Sequence, residues 1–93
     1  MSVVIVGGNE CMVCQYEKVC SSYGYKAKVF PKENGNFRKK IGNPELMVLF
    51  TNTVSHKMVH TAMDVAKKNK IPVERIHSSS IAALDSVLAG YHA

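Results

Sequence analysis

Four short strand-like runs, Val3 to Val6, Lys26 to Phe30, Leu46 to Phe50 and Val73 to Ile76, are separated by longer stretches of helical period. That alternation constrains the fold more than any other feature. Strand, helix, strand repeated without hairpin turns predicts a parallel sheet with helices on both faces. Val3 to Val6 and Leu46 to Phe50 are continuous apolar runs, as expected of strands buried on both sides. Lys26 to Phe30 alternates lysine with apolar residues and is expected at a sheet edge. The expected architecture is α/β, a mostly parallel four-stranded sheet in order 2-1-3-4. It is half of a doubly wound fold, a three-layer sandwich forming one domain over residues 1–93.

The helices carry their own signals. Asn9 is a good N-cap, and a helix is expected from there to about Tyr23, with Gly24 just past its end. Met12, Val13, Tyr16, Val19, Cys20 and Tyr23 make its apolar stripe. Asn36 to Ile41 reads as a short helix closed by Gly42. Ser55 to Asn69 reads as a helix with Met58, Val59, Ala62, Met63 and Ala66 inward, and Lys67, Lys68 and Lys70 at the negative end of its dipole. The last helix is expected after "HSSS", through Ala89, ended by Gly90, with Tyr91-His92-Ala93 frayed.

Composition narrows the function classes. No apolar run is long enough to cross a bilayer. The first residues lack a basic stretch and a small-residue cleavage site, so a cytoplasmic protein with reduced thiols is expected. With 93 residues, burial is modest and a homodimer would add stability. The formal net charge of +5 favours anionic partners, either small molecules or nucleic acid. Cofactors stay unassigned. NAD and FAD are disfavoured, because only Gly7-Gly8 follows the first strand and no acid ends the second; no Walker pattern exists either.

In a parallel sheet every strand ends at one edge, and ligands bind there beside the reversal of strand order, here between the first and third strands. The residues expected at that edge are Gly7, Gly8, Asn9, Thr51, Asn52, Ser55, His56, Ser78, Ser79 and Ser80, with Arg38 and its neighbours Lys39 and Lys40 nearby. Glycines allow close backbone approach, hydroxyls and amides donate, and helix N-termini favour anions. Single Ser or Asn residues also serve as ordinary N-caps, which accounts for Asn9, Ser55 and one of the serines without any ligand.

Cys11, Cys14, His56 and His60 offer different chemistry. A thiol at a helix N-terminus is easily ionised, and two histidines four residues apart can share a metal. A thiol- or metal-dependent redox or sensing protein is therefore the alternative to a binding module. The metalloprotease pattern fails, since Lys57 stands where the glutamate would be. Catalysis is poorly supported, because the edge carries no carboxylate pair and no nucleophile–base–orienter set.

"VVIVGGN", "VLFTNTVSH", "AKKNKIPV" and the closing "SSS" together resemble the bacterial family called domain of unknown function 2325, across nearly the whole chain. The resemblance implies a small Rossmann-type domain and no particular activity. Its matching positions are Gly7, Gly8, Thr51, Asn52, Ser55, His56, Ser78, Ser79 and Ser80. Members often carry a histidine and a glycine pair after the second strand. Here Lys32-Glu33-Asn34-Gly35-Asn36 keeps one glycine and no histidine, which speaks against a metal or acid–base role for that loop.

Overall fold

The computed structural model describes residues 2–8, 10–31, 37–52, 54–77 and 80–91, with the backbone alone for Phe37, Arg38 and Tyr91. Four strands, β1 (Ser2–Val6), β2 (Lys26–Phe30), β3 (Leu46–Phe50) and β4 (Val73–Ile76), form one sheet in order β2-β1-β3-β4. Every neighbouring pair is parallel, with Val6 beside both Phe30 and Leu49, and Phe50 beside Ile76. The chain grows outward from β1 to β2, then returns to β3 and grows the other way. The reversal between β1 and β3 is the expected one.

Among the described residues four α-helices cover the sheet: α1 (Val13–Ser22), α2 (Phe37–Ile41), α3 (His56–Asn69) and α4 (Ile81–Tyr91). The two-residue period of the strands divides the core in two. Val4, Val6, Met47 and Leu49 face Ile41 of α2 and Met58, Ala62, Val65 and Ala66 of α3. Val3, Ile5, Leu46, Val48 and Phe50 face Tyr16 and Cys20 of α1 and Leu84 and Leu88 of α4. All of β3 is buried, as a central strand clad on both faces must be. Tyr23 Oη donates to Asp85 Oδ1 at 2.8 Å and ties α1 to α4.

Three details depart from expectation. The first helix opens as a 3₁₀ turn, Glu10–Met12, before α1 begins at Val13. In α3 it is Val65 that is buried, whereas Val59 and Met63 are half-buried; a one-residue error in the angular centre of a stripe exchanges such neighbours. The last helix runs through Gly90 to Tyr91. Glycine in a helix costs only about 1 kcal/mol, and a glycine stops a helix only where the next residues need to turn away. The α3 terminus shows the opposite case: Lys70 takes the left-handed conformation (φ 56°), with its N–H and that of Ile71 donating to the Ala66 carbonyl. The expected turn after α1 is present, with Gly24 at φ 78°.

Candidate functional site at the carboxyl edge of the sheet

Where β1 ends, Gly7 and Gly8 both adopt positive φ, 94° and 91°. Gly7 N–H donates to the Phe30 carbonyl at 2.9 Å, extending the β1–β2 ladder by one step. Gly8 has a packing reason of its own. A Cβ there would lie 2.9 Å from Tyr16 Cε2 and 3.1 Å from Phe50 Cδ2. The two rings pack with centroids 5.3 Å apart, directly against the glycine backbone. Its lack of a side chain thus seats an aromatic pair beneath the edge, independent of any ligand.

At the end of β3, Thr51 N–H donates to the Ile76 carbonyl at 2.8 Å. The Thr51 hydroxyl lies 3.4 Å from that carbonyl and 3.4 Å from His77 Nδ1. A hydroxyl both donates and accepts, so Thr51 fastens the end of β3 to the end of β4. Asn52 follows it, exposed. Ser55 caps α3: its Oγ accepts from Met58 N–H at 3.3 Å. Ser80 does the same for α4, accepting from Ala83 N–H at 3.1 Å. A capping hydroxyl keeps its proton to donate elsewhere. His56 is the first residue of α3 and is exposed, as is His77.

The parallel register and the reversal between β1 and β3 therefore bring Gly7, Gly8, Thr51, Asn52, Ser55 and His56 to one edge, with Ser80 at the start of α4 after β4. Asn9, Ser78 and Ser79 lie outside the described residues, as does the Arg38 side chain. Sequence reasoning left His77 out of the ligand set, although the residue opens "HSSS"; its ring is the one aromatic base that the geometry links to Thr51 among the described residues.

A family model described as "uncharacterized protein conserved in bacteria", domain of unknown function 2325, matches residues 2–91. The chain belongs to this family. No curated protein and no solved structure matches it.

In this family member the thiols divide by burial. Cys20 is fully buried in the α1 stripe, and burial, with the Glu17 carboxylate as a lesser cause, pushes its thiol up to about 11. Such a thiol stays protonated and unreactive at neutral pH. Cys11, in the 3₁₀ turn, and Cys14, in the first turn of α1, are exposed. His60 lies one turn beyond His56 and is also exposed. Among the described residues no group of three or more His, Cys, Asp or Glu side chains is arranged to hold a metal ion.

Lys39 and Lys40 of the basic run lie beside β2. With Ile41 buried under the sheet, Lys39 and Lys40 are carried along the flank of β2, lining one hollow with Lys28. Lys28 Nζ donates to the Lys40 carbonyl at 3.4 Å. These cations lie along the side of the sheet, in a hollow that reaches Phe30 at the end of β2, and α2 runs back along β2 toward its amino end, where Ile41 and Pro44 approach Ser2. Among the described residues no helix is long and apolar enough to cross a membrane.

Proposed function

We propose that this protein is a non-catalytic binding module that holds a phosphate-bearing ligand, a nucleotide or single-stranded nucleic acid, at the carboxyl edge of its sheet. The observation that carries the reading is the strand reversal between β1 and β3, with the exposed amide of Asn52 and imidazole of His56 beside it at the start of α3. A helix of fourteen residues begins there with its positive end outward, and Gly7-Gly8 keeps side chains off the neighbouring strand end. In this reading Asn52, and the hydroxyl proton of Ser55, donate to phosphate oxygens. His56 donates through a ring N–H. The Gly8–Tyr16–Phe50 packing fixes the floor on which these groups stand. The net charge of +5 supplies long-range attraction.

The test is salt-titrated binding of a fluorescent single-stranded RNA and of a fluorescent mononucleotide, read by anisotropy. Binding is expected at low salt, with affinity for the RNA falling steeply as salt is added. Asn52→Ala combined with His56→Ala should weaken both ligands about tenfold or more, since each lost charged or polar contact is worth about 1 kcal/mol. Absence of binding at low salt, or affinity unchanged in the double variant, rejects the reading.

A further inference from the structure

The outer side of β2 is unused by the carboxyl-edge site. β2 ends the sheet at that side. The Phe30 carbonyl faces β1, where it accepts from Gly7 N–H. Backbone groups alternate along a strand, so the N–H and C=O of Ala27 and Val29 point outward, away from the sheet. Among the described residues none pairs with them. A hollow of about 450 Å³ runs along this edge between α1 and α2, lined by Val29, Lys28, Lys39 and Lys40 and, from α1, Glu17.

We propose that the outer edge of β2 accepts an extended acidic segment of another protein as an added strand, paired through the backbone of Ala27 and Val29 and held by Lys28, Lys39 and Lys40. Two observations choose this occupant. The edge offers alternating donors and acceptors at strand spacing, which a peptide backbone matches and a phosphodiester backbone, lacking N–H donors, does not. The lining carries three cations against the single carboxylate of Glu17, so charge complementarity selects an acidic chain. A second copy presenting its own β2 would bring Lys26 and Lys28 against the same lysines and is repelled. Lysines on an edge strand also guard against aggregation. That role needs only Lys26 and Lys28; Lys39 and Lys40 stand on α2, across the hollow, where guarding the strand does not require them.

The full chain, labelled with ¹⁵N, is titrated with a short peptide alternating Glu and Val. The controls are that peptide N-methylated at alternate amides, a Lys/Val counterpart and oligouridylate. The expected result is that the Ala27 and Val29 amides shift and gain protection from exchange. The N-methylated peptide should bind about tenfold more weakly. The Lys/Val peptide should not bind. Lys28→Glu with Lys39→Glu should weaken binding about tenfold with the far-ultraviolet spectrum unchanged. Val29→Pro removes an outward N–H without altering charge and should do likewise; if it fails to fold, the charge-reversed variant and the N-methylated peptide decide. Unmoved Ala27 and Val29 amides, equal affinity of the N-methylated peptide, or stronger binding of oligouridylate through the same lysines overturns the proposal. Alanine at Asn52 and His56 should leave this binding unchanged, which separates it from the carboxyl-edge ligand.

Discussion

Replacing Gly8 by alanine tests how the carboxyl edge is built. The residue sits at φ 91°, and the new Cβ would meet Tyr16 Cε2 at 2.9 Å and Phe50 Cδ2 at 3.1 Å. The backbone conformation alone costs an L-residue about 1–2 kcal/mol. Neither ring moves easily, since Tyr16 and Phe50 are fully buried and in contact with each other. Forcing a methyl group into such a place costs about 1–3 kcal/mol more. The sum, about 2–5 kcal/mol, is a large part of what holds a small domain together, and it should lower Tm by about 10 °C or more. Gly24→Ala is the control: φ is 78° there, but nothing lies within 4 Å of the added carbon. It should cost only the backbone share, about 1–2 kcal/mol. Urea unfolding followed by circular dichroism measures both. The difference between the two variants isolates the contact with the rings. Equal losses would mean that the aromatic floor yields, and the packing argument for Gly8 would be refuted.

Three further outcomes follow from individual residues. The Cys20 thiol is pushed from 9.0 up to about 11, chiefly by burial. Because the folded state holds its proton more tightly, the stabilisation is full below about pH 9 and is lost as pH rises toward about 11. Cys20→Ala should therefore lack that component of the alkaline loss, and a stability difference from the parent chain that is flat across this range would contradict the assignment. Ser55→Ala removes the cap of α3 and should cost about 1 kcal/mol in urea unfolding, with unchanged stability counting against the capping bond. Lys70→Gly relieves the left-handed residue at the end of α3 and should raise stability by about 0.5–1 kcal/mol; a loss would contradict that reading of the terminus.

Three of the strands were legible as unbroken apolar or alternating runs bounded by glycine, proline or polar residues, and Val73 to Ile76 was legible from its place after Pro72 and before the serines. Lys26 to Phe30, Leu46 to Phe50 and Val73 to Ile76 coincide with β2, β3 and β4, and the parallel order followed from the helices between them. Boundaries that depend on competition between weak local preferences were less legible. The 3₁₀ turn at Glu10–Met12 and the passage of α4 through Gly90 are differences of about one turn or less, the glycine costing about 1 kcal/mol. For the site, strand topology carried Gly7, Thr51, Asn52 and His56 to the expected edge. The sequence could not show what Gly8 touches, because Tyr16 and Phe50 come from elements eight and forty-two residues away. Nor could it show that Lys39 and Lys40 join Lys28 along the side of the sheet. That depends on the path of α2, which is fixed by the burial of Ile41 rather than by any charge.

An anion bound by this molecule should touch it at the carboxyl edge of the sheet. A ¹H–¹⁵N spectrum of the labelled chain, titrated with inorganic phosphate and then a mononucleotide, reads this residue by residue. The expected changes fall on the amides of Gly7, Asn52, His56 and His77, and saturate. Changes confined to Lys28, Lys39 and Lys40, or none at all, would contradict the assignment of the carboxyl edge as the binding site.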